Sequence, residues 1–445
     1  MQKISDWGNY PVVEADVSGF DSAEQLRQKL AVPGQVIAFG NGRSYGDASL
    51  QKRMLTTRRF NKFLAFDESN GELCCQAGAL LSEILDVFVP RGWFLPVTPG
   101  TKLITVGGAI AADVHGKNHH VDGSFGQHIL SMDVMRNDGS VVTCSPTKHA
   151  EFFAVTVGGM GLTGMILNAT FRLKRIESAY IVEETVKAAN LHEIMDCFEA
   201  SMDWTYSVAW IDCLAKGDSM GRSIMMRGEH ARDADLIKPA HKSAPLALKP
   251  GLPLAVPFRF PNFALNPLTM NAFNFAYYNK FRSGTHRHIT NYNTFFYPLD
   301  AIDKWNRIYG KRGFTQYQFV IPKEAGREGM EKILKRITES GLGSFLAVLK
   351  LFGKQESFIS FPMEGYTLAL DFPISQKAMD LFKELDAMVA DYGGRLYLAK
   401  DSRMDAAMFE KTYPNAAEFK RAVAMLNEGE TRFASLQSNR LGITS

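Results

Sequence analysis

Apolar and polar positions alternate along this chain in two rhythms, and the change between them divides it. In the first 178 positions short apolar runs are punctuated by glycine. Ser22–Leu30 has helical apolar spacing behind a capping Asp21 or Ser22, and Val36–Phe39 follows as a buried strand. Leu73–Ala77 alternates as a strand, and Leu80–Val89 returns to helical spacing until Pro90 stops it. Ile129–Arg136 and Val141–Cys144 are strand-like runs joined by Asn137-Asp138-Gly139, and the Asp-Gly pair supplies the positive φ of a tight hairpin turn. Phe152–Val157 and Met165–Leu173 frame a glycine loop and close a first unit near residue 178.

From Tyr180 the runs lengthen and fill with aromatics and methionines. Tyr206–Asp212 and Ser223–Arg227 predict a broad antiparallel sheet with one covered face. Asn293–Asp300, Gln316–Pro322, Phe345–Phe352 and Tyr366–Phe372 read as further strands, with helices over Arg327–Ser340 and Gln376–Tyr392, giving repeated β-α-β units. Between Lys238 and Thr290 seven prolines and many aromatics interrupt the pattern. No period covers the first half of that segment, which predicts a long irregular loop of the kind that forms lids or contact surfaces. The pattern as a whole predicts an α+β chain of two domains, the second built on the antiparallel sheet.

Composition agrees and removes some alternatives. With 445 residues, 46% apolar and 22% charged, the chain is long enough for two cores. A net charge of +3 is too mild to imply nucleic acid, so the expected partner is a small or amphiphilic molecule. The five cysteines form no C-x-x-C pair, which suggests neither a disulfide framework nor a zinc ribbon. The N-terminus lacks the apolar core of a secretory signal, and no run approaches the roughly 18 apolar residues of a spanning helix. The expected location is cytoplasmic.

Glycine supplies the candidate chemistry. The stretch Thr98–Gly126, TPGTKLITVGGAIAADVHGKNHHVDGSFG, holds six glycines and three histidines. Phe39–Asp47 reads FGNGRSYGD, and Val157–Gly164 reads VGGMGLTG. Residues without Cβ let the backbone lie close against a ligand, and turns beside strands can form nests for phosphate oxygens. Three such turns in one half of a chain suggest a dinucleotide lying along them. Gly40, Gly42 and Gly46 are one residue too widely spaced for the Rossmann fingerprint, and no G-K-[ST] follows at Walker A spacing. His115, His119 and His120 have metal-like H-x-x-x-H spacing, but Gly116 and the absence of an acidic residue between them speak against a metal-binding helix. Histidines that only satisfy a buried loop are the plain alternative.

The blocks FGNGRSYGD, TPGTKLITVGGAIAADVHGKNHHVDGSFGQH, GGMGLTG and YGGRLYLAKDSR together resemble the FAD-dependent oxidases of the vanillyl-alcohol oxidase superfamily. Within it they are most similar to the branch that oxidises a lipid-linked ribose. The resemblance spans nearly the whole chain and implies a two-domain flavin oxidase: an FAD-binding α+β domain at 1–178, a substrate domain at 179–394, and a segment at 395–445 returning to the first. It implies FAD contacts at Gly40, Asn41, Gly42, Arg43, Ser44, Tyr45, Gly46, Pro99, Gly100, Thr105, Val106, Gly107, Gly108, Ala112, Asp113, His115, Gly116, Asn118, Gly161, Gly164, Ile166 and Tyr397, with Lys117 shaping the same wall. Many members bond the flavin covalently through a histidine in the first glycine loop; here Ser44 and Tyr45 stand there, so non-covalent FAD is expected.

The resemblance further implies Lys400, Tyr397 and His115 as catalytic residues, with Gln318, Lys350, Lys400 and Trp210 meeting the substrate. A lysine depressed by burial can accept a hydroxyl proton, although a solvated strand-end charge is the commonest fate of a lysine. The implied reaction is oxidation of the C2 hydroxyl of a polyprenyl-phosphate-linked pentose, completed as an epimerisation by a short-chain reductase partner. Peripheral contact with the inner face of a membrane would follow, with Lys280, Arg282, His286, Arg287 and His288 as cations for the phosphate. A soluble sugar, aldonolactone or hydroxy acid is the alternative substrate, and a non-catalytic flavin-bound scaffold a further reading. One departure stands out: where relatives carry a cysteine near the flavin, LALDFP has Ala369.

Overall fold

The computed structural model describes residues 1–248, 251, 254–261, 264–427 and 432–444. A small first sheet has β1 (Gln2–Ile4), β2 (Val13–Gly19), β3 (Ile37–Phe39) and β4 (Arg53–Thr56) in the order β1-β2-β4-β3. β4 is parallel to both neighbours, and α1 (Ala23–Leu30) makes the connection from β2 to β3. Of the two candidate caps it is Ser22 that accepts from the Gln25 N–H, at 3.2 Å. A second, antiparallel sheet has β5 (Phe63–Asp67), β6 (Glu72–Gln76), β7 (Ile129–Met135), β8 (Val141–Cys144) and β9 (Met165–Arg172) in the order β5-β6-β9-β7-β8. The expected hairpin is the β7-β8 pair, with Gly139 at φ +80°. α2 (Leu81–Phe88) packs Leu81, Ile84, Leu85 and Phe88 into this unit's core.

The third sheet has eight strands, all from 180 to 396. They are β10 (Tyr180–Ala188), β11 (Tyr206–Ile211), β12 (Ser223–His230), β13 (Thr285–Asn291), β14 (Phe314–Pro322), β15 (Ala347–Phe352), β16 (Gly365–Pro373) and β17 (Arg395–Leu396). Their order is β13-β10-β12-β11-β15-β16-β14-β17, and every neighbouring pair is antiparallel. The β-α-β units are therefore split. A helix leaves β14 and returns to β15, with β16 lying between them.

Period-2 alternation gives the sheet two unlike faces. Tyr317, Phe319, Leu349, Leu351, Leu368 and Leu370 belong to the main core, packed against the helices over Leu191–Glu199, Lys323–Ser340 and Gln376–Asp391. Full burial of each such Leu or Phe stabilises the fold by about 1.5–3 kcal/mol. The opposite face presents Glu183, Trp210, Lys350, Thr367, Asp371, Gln316 and Gln318, and it looks toward the glycine loops.

Two expectations need correction. Asn293–Asp300 is not a strand. Asn291 caps a short helix, Tyr292–Phe296, by accepting from the Thr294 N–H at 2.9 Å, and because Phe295, Phe296 and Tyr297 are all buried the run does not alternate. Phe152–Val157, the run before the third glycine loop, lies mostly in the helix Ala150–Thr156. The expected irregular loop holds the short helix Pro239–Ser243 and the two-residue strand Leu254–Ala255, and residues 249–250, 252–253 and 262–263 of it lie outside the described residues. Beyond it Asn266 caps a helix over Pro267–Asn279.

Candidate active site

The first glycine loop turns away from β3 with Gly42 at φ +58°. Asn41 fixes it by donating to the Leu103 carbonyl at 2.7 Å, and a Cβ on Gly40 would come within 2.6 Å of Thr105 Oγ1. Among the described residues the backbone N–H groups of Asn41, Gly42, Arg43 and Ser44 donate to no protein acceptor. The Arg43 guanidinium lies 4.0 Å from the Trp7 ring. Beside this loop Thr105 caps the short helix Val106–Ala111, accepting from Gly108 N–H at 3.1 Å, and Gly107 packs against Ala77. Gly161 and Gly164, at φ +78° and +151°, shape the third loop.

The central stretch closes over the polar face of the third sheet. Ser207 N–H donates to the Lys117 carbonyl at 2.9 Å. Tyr397 donates its N–H to the Gln318 carbonyl at 2.9 Å and its hydroxyl to the Ala112 carbonyl at 3.2 Å. His115 is buried among Phe352, Phe361 and Tyr397, with ring centroids 4.7, 5.5 and 5.2 Å away. Gln318 Nε2 donates to His115 Nε2 at 3.1 Å, which leaves Nδ1 to carry the proton, buried and without a partner among the described residues. Tyr45 joins the far end, its N–H donating to the Ala399 carbonyl at 3.1 Å.

Burial sets the charges. It holds His115 well below the usual imidazole range, reinforced by Lys350, His119 and Lys400, so the ring is neutral. It pushes Lys117 down to about 7 and Lys350 down to about 8. Lys400 is also pushed down by burial, opposed by Asp371, while burial pushes the Asp371 carboxyl up. Among the described residues neither the Lys350 nor the Lys400 side-chain amine has a hydrogen-bond or ion-pair partner; the Lys400 ammonium rests 3.7 Å from the centroid of the Tyr45 ring. Gln316, Gln318, Tyr397 and Lys400 line one cleft.

Most of the expected residues converge, but some are engaged elsewhere. Asp113 accepts from Ser124 Oγ and Gly126 N–H, both at 2.9 Å, and from Gln355 Nε2 at 2.8 Å. Asn118 donates to the Pro96 carbonyl and to Asp122. Both brace the central stretch. Ile166 lies in a core, and Gly100 is exposed, with open space where a Cβ would stand. Trp210 donates from Nε1 to the Phe345 carbonyl at 3.0 Å and packs on Tyr277 at 4.7 Å. His115, His119 and His120 turn to three separate partners, Gln318, Gln355 and the Trp204 carbonyl. The basic residues from Lys280 to His288 lie at or beside the exposed edge strand β13.

Sequence reading passed over Gln355, Gln316 and Asp371. Asp371 carried a signal, an acidic residue at a site-facing position of the apolar strand LALDFP. Gln355 carried none, because its role arises only where the end of β15 meets the central stretch.

Residues 22–145 match the family described as FAD binding domain. The chain is 37% identical to decaprenylphosphoryl-β-D-ribose oxidase of Mycolicibacterium smegmatis, across 99% of this chain and 97% of that one. It belongs to that family of FAD-dependent oxidases, within the vanillyl-alcohol oxidase type. A Streptomyces coelicolor protein known by its place in the mprA 5′ region is 30% identical over 82% of this chain and all of its own length. Mouse L-gulonolactone oxidase shares 26% identity over 41% of each chain. Membership in the oxidase family makes the protein an FAD-dependent oxidoreductase. The residues fit the cofactor: free N–H groups at 41–44 suit a pyrophosphate, and the orphaned Nδ1–H of His115 with the unpaired lysines suits an anionic ring system. Among the described residues no helix is long and apolar enough to cross a membrane.

Proposed function

We propose that the protein oxidises the C2 hydroxyl of a polyprenyl-phosphate-linked pentose to the 2-keto sugar, which a short-chain reductase partner then reduces to complete an epimerisation. The observation carrying this reading is the likeness, over almost the full length of both chains, to decaprenylphosphoryl-β-D-ribose oxidase. FAD, held non-covalently, supplies the hydride acceptor. Residues 1–178 and 395–445 form its binding domain, with the first loop from Gly40 to Gly46 and the caps at Thr105–Gly108 holding the phosphates. The sugar lies over the sheet face built by 179–394.

Lys400 accepts the hydroxyl proton. Burial leaves a useful fraction of its amine neutral near pH 7, and it opens to the same cleft as Gln318 and Tyr397. Gln318 and Lys350 hold the sugar, and Trp210 covers the apolar side. Neutral His115, anchored by Gln318, orients the ring system without adding charge. The aromatic helix Pro267–Asn279 and the cations of β13 meet the prenyl tail and phosphate at a membrane's inner face.

The test is anaerobic bleaching of the purified yellow protein by a short-chain prenylphosphoryl-β-D-ribose, compared with L-gulono-1,4-lactone. Bleaching by the first and not the second is expected. Lys400→Met should keep the flavin spectrum and lower the bleaching rate by about 10²–10⁴-fold. Bleaching by the lactone alone would overturn the substrate; an unchanged rate in Lys400→Met would overturn the proton acceptor.

A further inference from the structure

Asp371 takes no direct part in the hydride or proton transfer. It stands on β16 opposite Gln316 of β14, on the face that carries Gln318, Thr367 and Lys350, and it is 2% exposed. Neutral donors hold its carboxylate: Gln316 Nε2 reaches Oδ1 at 2.6 Å and the Tyr309 hydroxyl reaches Oδ2 at 3.4 Å. Its own N–H donates to Ser344 Oγ at 3.1 Å. A buried carboxylate without a hydrogen-bonded cation is costly to keep ionised, and the cation acting on this one is Lys400.

The two groups are held by one aromatic box. Lys400 rests on Tyr45, Tyr45 meets Phe314 edge-on at 5.2 Å, and Tyr309 stacks on the same Phe314 at 4.1 Å. Gln316, which grips Asp371, lines the cleft into which Lys400 opens. The platform under the lysine and the clamp on the carboxylate therefore share a wall.

We propose that Asp371 is a positioning residue for the oxidation: clamped by Gln316 and Tyr309, its carboxylate draws the Lys400 amine onto Tyr45, beside the narrow cleft that Gln318 and Tyr397 also line. The proposal rests on Lys400 being the proton acceptor. When the O–H bond of the substrate breaks and an N–H bond forms on Lys400, the new ammonium feels the Asp371 carboxylate, which stands beyond hydrogen-bond reach, instead of apolar rings alone. The charged and titratable groups facing Lys400 are Asp371 from β16, Lys350 from β15, Tyr45 from the first glycine loop and neutral His115 from the central stretch. Without Asp371, burial and Lys350 act unopposed, and the lysine sheds its proton at lower pH.

The experiment uses FAD-loaded protein labelled with [ε-¹³C]lysine, the Lys400 resonance being assigned with Lys400→Arg. Its titration midpoint is compared with the pH dependence of kcat/KM for a short-chain prenylphosphoryl-β-D-ribose. In Asp371→Asn the midpoint should fall by about one pH unit or more, an about tenfold loss of proton affinity, and the acidic limb of kcat/KM should move with it. Asp371→Glu should restore both. Gln316→Met, which weakens ionisation of Asp371, should move the midpoint the same way by less, and it serves if Asp371→Asn does not fold. An unmoved midpoint in a folded variant overturns the proposal. A midpoint that moves while the kcat/KM limb stays fixed keeps the Asp371–Lys400 coupling but overturns both Lys400 as proton acceptor and Asp371 as the residue that positions it for the oxidation.

Discussion

Arg440→Met tests whether the C-terminal segment is a structural member of the flavin-binding half. Arg440 donates to Asp47 Oδ1 at 2.6 Å through Nη2 and to Asp401 Oδ2 at 3.0 Å through Nη1, and it also reaches the Met404 carbonyl. Asp47 closes the first glycine loop, and Asp401 follows Lys400. The carboxylates' side chains are only 7% and 3% exposed. Removing the shared cation strands two buried charges, and breaking a buried pair in this way costs about 3–5 kcal/mol. At about 2.1 cal/mol/K per residue, 445 residues give an unfolding entropy of about 0.9 kcal/mol/K, so Tm should fall by about 3–5 °C at pH 8. The deficit should depend on pH. Burial raises the Asp47 carboxyl and Arg440 opposes it, so the variant's carboxyl rises further. A carboxyl raised in the folded state stabilises the fold at low pH and loses that contribution as pH climbs through its folded value. The Tm gap should therefore narrow as pH falls from 8 to 5. Differential scanning fluorimetry of FAD-loaded wild type and variant across that range measures it. A gap under about 1 °C at pH 8, or one that widens toward pH 5, refutes the reasoning.

Two further outcomes follow from the same geometry. In Gly46→Ala the new Cβ would run into the Asp401 carbonyl oxygen; strain of about 1–3 kcal/mol at the seam between the first loop and the Lys400 segment should weaken FAD binding by about tenfold, read by flavin retention on dialysis. Ala369 stands opposite Gln318 and Val348 on the site face, so thiol-directed inhibitors should form no adduct at this position in the wild type. Ala369→Cys should acquire one, visible as an added mass on the peptide holding residue 369.

How much of this was legible depends on the range of the signal. The glycine loops announced themselves because positive φ and close approach demand a residue without Cβ, and Gly42, Gly161 and Gly164 have that conformation. The antiparallel sheet was legible because Trp210, Lys350 and Gln318 alternate with apolar neighbours. Periodicity failed where a side-chain cap decides, as Asn291 does before Tyr292. Contacts such as Gln355 with His119 and Asp113 join positions more than 230 apart, and no local pattern encodes them. Lys400 illustrates the limit: its sequence neighbourhood reads as an ordinary charged strand end, and only the fold buries it against Tyr45.

The charge pattern over the polar face of the larger sheet gives a final reason to read it as a site of chemistry. Glu183 acts on Lys117, Lys117 feels Lys350, Lys350 acts on Lys400, and Lys400 on Asp371. Three lysines thus lie between two carboxylates across one sheet face, and each lysine is pushed down by burial. For stability alone this is a poor arrangement, since apolar residues of similar volume would remove the desolvation cost and the mutual repulsion. Such a surplus of half-buried positive charge is rational where anions complete it, and the cofactor's pyrophosphate and its reduced ring are both anionic. The N–H groups at 41–44 and the Lys350 and Lys400 amines, without partners among the described residues, then answer the same need. Groups whose protonation is poised by burial and by one another are what proton transfer at neutral pH requires, and here strands of the larger sheet carry Glu183, Lys350 and Asp371, while the central stretch and the turn after β17 bring Lys117 and Lys400 to them.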